Sequence, residues 1–337
     1  MLRKEKSTNK KPALVEAASA PIKMDEAAER WSRQKIDRYQ VAQPPGMLHR
    51  LVSRLRIPEY IVDSTAPKLP SAGDITAVPA GQRRNLAFMS PEQTAGPLKA
   101  RRPDNRRVLN DTTYPWRCCG RVITAAGQCT GALVGPRHLL TVSHVVDWTV
   151  TQGKVGWLRF EPGYFDGEVF RPSHAVEVYS YDRIAATTVD DFEVASDYVV
   201  CVLDSPIGNK LGWFGSKTYD PSWDEYMYWS HVGYPEDLGG GTRPYFEGPV
   251  TVKNSWRPGF LEKGHGRNIL IHASTSNGDS GGPFFGWWDN GPHIVGVVCA
   301  AGRLNPVITH PIIRSGNWVG GGEPLPSLIE QARIESP

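Results

Sequence analysis

Residues Ser276–Pro283 read SNGDSGGP, and no other stretch of the chain says as much about its fold and chemistry. Glycines on both sides of Ser280 let the backbone turn sharply, because a residue without a Cβ adopts conformations that other residues resist. In such a turn consecutive amides converge on one oxygen. We therefore expect Ser280 to be a nucleophile, with the amides of Gly278 and Ser280 forming an oxyanion hole. The alternative is a glycine-rich surface turn that happens to contain serine, and two further segments weigh against it.

The first of these segments is Cys129–His144, which ends in a histidine. It alternates apolar and small residues, breaks at Gly135-Pro136 and resumes as an apolar run, which is typical of a β-hairpin in a barrel wall. His144 is then expected at the rim of that barrel. A structural histidine satisfied by hydrogen bonds is the alternative, but the order of the candidate residues along the chain favours a catalytic one.

The second segment carries Asp197, which immediately precedes the apolar run Tyr198–Leu203. An aspartate there can accept a hydrogen bond from one imidazole nitrogen and hold the ring in the tautomer whose other nitrogen faces a serine. Asp190, Asp191 and Asp204 are rivals. Asp197 is preferred because it alone abuts the start of the buried run.

The order His144, Asp197, Ser280 resembles the triad of the chymotrypsin-like (trypsin-like) serine peptidases. The resemblance covers about residues 108–337, and its details are closest to the glutamyl-endopeptidase and fungal trypsin-like branch. It implies an all-β fold of two six-stranded antiparallel β-barrels with a C-terminal helix. The segments that carry these details are Val134–Thr141, Asp204–Gly208, Gly212–Gly215 and Gly233–Pro235.

The activity that the resemblance implies is that of a serine endopeptidase acting on protein or peptide substrates. Ser280 attacks a peptide carbonyl, His144 takes and later returns the proton, and Asp197 orients the imidazole. No metal or cofactor is expected, since the remaining histidines show no zinc-like spacing with the cysteines. The alternative from another class is a protease-like binding protein without catalysis, against which the intact triad argues.

The resemblance also places a substrate pocket among Ser274, Thr275, Val298, Cys299 and Ala300. Ser274 and Thr275 should lie at its back, and neither is charged. Because a buried cation without a carboxylate partner is costly, cleavage after Arg or Lys is not expected. Glutamyl endopeptidases carry a histidine where Val298 stands, so strict cleavage after glutamate is not expected either.

Charge divides the 337-residue chain into two parts. Residues 1–107 carry 21 Lys and Arg against 11 Asp and Glu, whereas residues 108–337 carry 17 against 24. The front part is broken repeatedly by proline and is expected to be a largely irregular pro-segment or a disordered extension, with one helix over Met24–Tyr39. Residues 108–337 are long enough for a protease domain of two barrels. The opposite charges are consistent with contact between the pro-segment and this domain, and equally with binding of the basic segment to a polyanion.

Three arginine pairs precede the protease domain, at Arg83-Arg84, Arg101-Arg102 and Arg106-Arg107. Such pairs are typical of processing sites, and the resemblance implies a zymogen. Cleavage after Arg107 would expose Val108, whose new amino terminus would pair with Asp279 and organise the oxyanion hole. Otherwise these arginines are ordinary basic residues of a linker.

From Tyr114 onward the residue pattern is mainly that of β-strands, with a terminal helix over Leu325–Ile334. The strands expected in the first barrel are Cys119–Thr124, Cys129–Val134, His138–Val142, Val155–Phe160, Ala175–Tyr181 and Tyr198–Leu203. Those expected in the second are Tyr228–Val232, Tyr245–Val252, Asn268–Ala273, Pro283–Gly286, Ile294–Ala300 and Val307–Ile313.

The cellular location of the protein is the property on which the sequence signals conflict. The basic amino terminus is not followed by an apolar run, so no signal peptide is visible, and no 18-residue apolar stretch could span a membrane. The dibasic sites nevertheless favour a secretory route, and we expect a secreted or extracellular monomer that binds neither membrane nor nucleic acid. Five cysteines leave at least one unpaired, their pairing stays open, and Cys201 is expected to be a buried thiol.

Overall fold

The computed structural model describes residues 36–44, 104–185, 191–258, 266–288, 291–302 and 316–337. The strands in these ranges are β1 (Asp37–Val41), β2 (Arg107–Val108), β3 (Cys119–Thr124), β4 (Gly127–Leu133), β5 (His138–Thr141), β6 (Lys154–Val155), β7 (Leu158–Pro162), β8 (Ser173–Ser180), β9 (Val199–Leu203), β10 (Gly215–Ser216), β11 (Met227–Gly233), β12 (Tyr245–Trp256), β13 (Arg267–His272), β14 (Pro283–Trp288), β15 (Gly291–Gly302) and β16 (Gly316–Gly321). The α-helices are α1 (Asp191–Ser196), α2 (Gly208–Leu211) and α3 (Pro324–Glu335).

Six strands close the first barrel in the order β8-β7-β3-β4-β5-β9, with β9 returning to β8. Every neighbouring pair is antiparallel. The interior is largely aliphatic, and Val122, Leu133, Leu139 and Val200 are among its fully buried side chains. Closure of the sheet covers most of the strand edges that antiparallel β-proteins otherwise have to protect, and leaves one edge of β8 beyond His174 unpaired with β7.

The second barrel closes in the order β15-β14-β11-β12-β13-β16, with β16 returning to β15. Its neighbouring strands are also antiparallel. Its interior is aromatic: the rings of Trp229 and Phe284 lie 5.5 Å apart, and both side chains are fully buried. The expected fold class of two six-stranded antiparallel barrels is therefore confirmed.

The expected terminal helix is present as α3 and packs on the first barrel. Leu325, Leu328, Ile329 and Ala332 form its buried face. His138 on β5 places its Nε2 atom 3.2 Å from the carbonyl oxygen of Ala332, so a ring nitrogen reaches a carbonyl in the last turn of the helix. None of the helices in the described ranges is long and apolar enough to cross a membrane.

The helix expected over Met24–Tyr39 is wrong at its carboxyl end, because residues from Asp37 onward form β1; the part before residue 36 lies outside the described residues. β7 pairs with only the first two residues of β8, and β1 pairs with β8 farther along, from Glu177 to Ser180. The Nε of Arg38 donates to Glu177 over 3.1 Å, and Val41 is buried. Pairing with an available strand edge outweighed the helical pattern of the sequence.

The last strand of the second barrel is β16, whereas the expected strand Val307–Ile313 lies outside the described residues. β16 pairs with both β13 and β15, and its Trp318 and Val319 are fully buried. Its three glycines hid it from the sequence pattern, since glycine is depleted in strands.

Candidate functional site

His144 and Asp197 are brought together by the pairing of β5 with β9. In that antiparallel pair Thr141 lies opposite Val199. The chain leaving β5 after Thr141 and the chain entering β9 before Val199 therefore occupy the same end of the barrel. His144 follows in a single 3₁₀ turn, Ser143–Val145, and Asp197 lies two residues before β9.

Two hydrogen bonds join the histidine to the aspartate. The Nδ1 of His144 lies 2.6 Å from Oδ2 of Asp197, and the backbone amide of His144 donates to Oδ1 over 3.0 Å. The Asp197 side chain is fully buried and that of His144 is 14% exposed. Burial by itself lowers the pKa of His144, but the charge of Asp197 and its hydrogen bond outweigh burial, and the pKa is raised above 6.5. This arrangement stabilises an imidazolium and fixes the ring orientation.

The rival aspartates differ in their surroundings. Asp204 accepts a hydrogen bond from the Ser173 hydroxyl over 2.5 Å and lies 3.8 Å from the Nδ1 of His174, so it belongs to another cluster. Asp190 and the side chain of Asp191 lie outside the described residues. Of the candidates that the structure describes, Asp197 is the one that contacts His144.

The loop around Ser280 has the backbone that its glycines predict. Gly278 and Gly281 have φ angles of +90° and +86°. A Cβ on Gly278 would overlap the carbonyl oxygen of Tyr234, and one on Gly281 would overlap that of Thr130. Both positions therefore require glycine for conformation and for space.

Thr130 on β4 joins the serine loop to the first barrel. Its amide donates to the carbonyl of Ser280 over 2.8 Å, and its hydroxyl donates to the carbonyl of Gly278 over 2.7 Å. The Thr141 hydroxyl donates to the carbonyl of Thr130 over 2.8 Å. Since Thr141 lies three residues before His144, these bonds connect the serine loop with the strand that leads to the histidine.

The groups that would react are free of competing bonds. Among the described residues, no acceptor takes the amide hydrogens of Gly278 and Ser280. Ser280 is half-buried, and within the described part of the chain its hydroxyl has no hydrogen bond to His144 or to another group. In proteins without substrate such catalytic contacts are often long and tighten on binding. The arrangement can therefore offer two donors to one oxygen beside a hydroxyl.

Among the residues expected to line the pocket, Val298 contacts this loop. Val298 exchanges two backbone hydrogen bonds with it, from the amide of Gly281 to the carbonyl of Val298 (2.7 Å) and from the amide of Val298 to the carbonyl of Gly282 (2.9 Å). The Cys299 thiol is buried and donates to the carbonyl of Trp318 over 3.4 Å, so it faces the protein interior. Ala300 belongs to β15, and its side chain lies outside the described part.

At the back of the expected pocket the structure adds an acidic residue. The amide of Ser274 donates to Oε2 of Glu247 over 2.7 Å, and Glu247 is 4% exposed. The Thr275 hydroxyl is buried, and its oxygen has no hydrogen-bond partner among the described residues. Sequence reasoning missed Glu247 because it lies on β12, 27 residues before Ser274; a lone acid within a strand was the available signal.

The sequence predicted that, after cleavage, the amino terminus of Val108 contacts Asp279. In the uncut chain Val108 lies elsewhere. In this continuous chain Val108 is 45% exposed and pairs with Tyr245 on β12, while Asp279 is 1% exposed. The basic group against Asp279 is Arg106, whose Nη1 lies 3.7 Å from Oδ2 of Asp279. Sequence reasoning treated Arg106 only as half of a processing pair. Pairing of a new amino terminus at Val108 with Asp279 stays a prediction.

None of the five cysteines forms a disulfide bond, and all five are buried. Burial raises the pKa of Cys129 to about 12, and it raises the pKa of Cys201 as well. These thiols are therefore protonated and pack as small apolar side chains, as expected for Cys201.

Comparisons with known proteins bear on this site. No family profile matches the chain. The glutamyl endopeptidase of Bacillus licheniformis is 28% identical over 182 residues, which are 54% of this chain and 52% of that protein. The chain thus spans about half the length of the curated relative it matches.

Solved structures with a related shape include a Glu endopeptidase in complex with MPD, with 19% identity, a TM-score of 0.49, and coverage of 69% of this chain and 96% of that one. A thermostable serine protease, AL20, from an extremophilic microorganism has 16% identity and a TM-score of 0.47 over 66% of this chain and 99% of that one. The protease Anisep from Arthrobacter nicotinovorans has 16% identity and a TM-score of 0.45 over 65% and 97%. The fold itself is established by the strand order of the two barrels, and the sequence relative supports the resemblance to trypsin-like proteases of the glutamyl-endopeptidase type.

Proposed function

We propose that this chain, which has a sequence relative of the glutamyl-endopeptidase type and the two-barrel fold, is a serine endopeptidase with Ser280 as its nucleophile. The observation that carries the proposal is the 2.6 Å contact between His144 Nδ1 and Asp197 Oδ2. A buried carboxylate on Nδ1 leaves Nε2 as the proton acceptor, which is what activation of a serine hydroxyl needs.

In the proposed reaction the Ser280 hydroxyl attacks the carbonyl carbon of a peptide bond while its proton passes to Nε2 of His144. The C–N bond then breaks as His144 returns that proton to the leaving amine, and water releases the acyl group by the same exchange. The amides of Gly278 and Ser280 stabilise the oxyanion. Each step uses protein groups and water alone.

The proposed protease domain is residues 108–337, with an upstream pro-segment removed near Arg107. Two stretches upstream of Val108 contact the barrels, so the upstream segment is not wholly detached from them. β1 pairs with β8 of the first barrel, and Arg106 contacts Asp279 in the serine loop. The proposed product is a secreted monomer acting on proteins or peptides. Ser274, Thr275 and the β15 segment at Val298 are the proposed walls of the side-chain pocket.

The test is hydrolysis of a protein substrate by the purified chain and by Ser280→Ala, with the new peptide ends identified by mass spectrometry. We expect cleavage by the wild type and its loss in the variant. A protein that binds the substrate without cutting it, and does not react with a fluorophosphonate, would be the protease-like binding protein considered above, and the proposal would be wrong.

A further inference from the structure

The side chain of Arg106 is almost completely buried, although the residue lies in the segment that the sequence marks for removal. Its side chain is 5% exposed. Its Nη2 lies 2.7 Å from Oδ2 of Asp104 and 2.7 Å from Oδ2 of Asp237, and its Nη1 lies 2.9 Å from Oδ1 of Asp237. A guanidinium is rarely buried unless carboxylates surround it, and here three do, since Asp279 is the third.

The third carboxylate belongs to the residue immediately before Ser280. Asp279 is 1% exposed, and its Oδ2 accepts the amide of Ser276 over 2.8 Å. Arg106 contacts that same oxygen at 3.7 Å. His231, also buried, lies 3.7 Å from the other carboxylate oxygen without a hydrogen bond. Arg106 therefore places a permanent positive charge beside the buried carboxylate of Asp279, and burying that carboxylate without a counter-charge would be costly.

Asp237 ties the arginine to the loop a second time. It holds the Arg106 fork through both carboxylate oxygens and accepts the Ser276 hydroxyl over 2.6 Å. The hydrogen bonds from Arg106 lower the pKa of Asp237 to about 2. Arg106 thus contacts the serine loop by charge through Asp279 and by a hydrogen-bonded bridge through Asp237.

The main chain after Arg106 is fastened to the second barrel. Arg107 and Val108 pair with Phe246 and Tyr245, and the amide of Leu109 donates to the carbonyl of Pro244 over 2.8 Å. In this uncut chain the oxyanion amides already have no protein acceptor among the described residues, and Gly278 has the φ of +90° that the turn needs. The sharp turn and the unbonded amides that an oxyanion hole needs are thus present in a chain without an amino terminus at Val108.

We propose that Arg106 is a positioning residue, which supplies the counter-charge of Asp279 and holds the Gly278–Ser280 loop ready through the intact segment 104–109. The proposal rests on the proposed function. It replaces the processing site near Arg107 by a cut upstream of Asp104, where Arg101-Arg102 is the nearest dibasic pair, because cleavage after Arg107 would separate Arg106 from the residues 108 and 109 that fasten its segment to the barrel. Cleavage after Arg107 then lowers activity.

The first experiment blocks cleavage after Arg107 in the full chain with Arg107→Gln and measures the fluorophosphonate labelling rate and the amino terminus of the labelled protein. We expect labelling within about twofold of the wild type and a terminus upstream of Asp104. Labelling that requires a terminus at Val108 would overturn the inference while leaving the proposed function standing. Absence of labelling in cut and uncut wild type would overturn the proposed function itself.

The second experiment compares Arg106→Ala with Arg243→Ala, a matched change at the exposed Arg243–Asp166 pair. We expect Arg106→Ala to reduce kcat and the labelling rate at least tenfold, toward the roughly 10²–10³-fold typical of losing an oxyanion donor, with KM little changed. Arg106→Lys should recover part of the rate, and Arg243→Ala should retain it.

The double variant Arg106→Ala, Asp279→Asn separates lost counter-charge from lost folding. Removing the uncompensated carboxylate should restore part of the labelling rate of Arg106→Ala, at an unchanged far-ultraviolet circular dichroism spectrum. No recovery in the double variant, or full activity in Arg106→Ala, would overturn the inference.

Discussion

Replacement of Asp197 by asparagine tests the histidine–aspartate contact with the smallest change in shape. Asp197 accepts two hydrogen bonds from His144, one from the backbone amide to Oδ1 and one from Nδ1 to Oδ2. An asparagine has one acceptor oxygen. If that oxygen keeps the backbone bond, the amide NH₂ faces Nδ1, and Nδ1 becomes the acceptor. The proton then resides on Nε2, which faces away from Asp197 and can no longer accept a proton from Ser280.

The expected loss follows from this change of tautomer. In a Ser-His-Asp triad the wrong histidine tautomer lowers kcat about 10⁴-fold. At about 1.36 kcal/mol per factor of ten, this corresponds to an increase of about 5 kcal/mol in the activation free energy. KM should change little because Asp197 is fully buried. Because the substituted side chain keeps its size, the free energy of unfolding should fall by far less than the activation barrier rises.

The assay is the steady-state hydrolysis of one fluorogenic peptide by wild type, Asp197→Asn and Asp204→Asn at equal folded concentration. Asp204 is the matched control, since it is the other described aspartate near the start or end of β9 and bonds to Ser173 instead of His144. Retention of more than about a tenth of kcat in Asp197→Asn, or an equal loss in Asp204→Asn, would refute the reasoning.

Four further outcomes are expected. The value of kcat/KM should rise as pH increases through the pKa of His144, because only the neutral ring accepts a proton. The midpoint of this pH profile should lie above 6.5 in the wild type and at a lower pH in Asp197→Asn. A wild-type midpoint well below 6.5 would be inconsistent with the contact between His144 and Asp197. Gly278→Ala should lower the fluorophosphonate labelling rate about 10²-fold or more, because the added Cβ overlaps the carbonyl oxygen of Tyr234. Gly153→Ala is the control, since Gly153 also has a positive φ but open space around it, and it should leave the labelling rate unchanged. Similar labelling rates in the two variants would contradict the requirement for glycine at position 278. Val41→Ala should lower the free energy of unfolding by about 1–2 kcal/mol and Arg38→Ala by less than about 1 kcal/mol in urea denaturation, and no effect of Val41→Ala would mean that β1 does not stabilise the first barrel. In a peptide panel, Arg and Lys should not be the best residues before the scissile bond, because Ser274 and Thr275 carry no charge and Glu247 is 4% exposed. A clear preference for Arg or Lys that disappears in Glu247→Gln would refute this and show that Glu247 binds the substrate side chain.

The sequence predicted the two barrels and the histidine–aspartate contact because the signals for both are local. The apolar runs that form β5 and β9 are continuous, and the turns before and after them place His144 and Asp197 at matching ends. The conformation of the serine loop was predictable for the same reason, since Gly278 and Gly281 are required by the backbone itself.

The features that the sequence did not reveal depend on pairing across long distances. β1 forms because β8 offers an edge, and the sequence of residues 37–41 does not show which edge that is. Arg106 looks like any basic linker residue until Asp104, Asp237 and Asp279 surround it. Thr130 is one threonine in an apolar strand, and its role in joining the two barrels depends on the position of Ser280 in space.

Whether Ser280 is the nucleophile is tested by mapping, with peptide mass spectrometry, the adduct that a fluorophosphonate forms on the full chain. We expect one modified residue, Ser280, with modification lost in Ser280→Ala and strongly slowed in His144→Ala. An adduct on another residue, or an unmodified Ser280 in protein that cleaves peptides, would contradict this expectation.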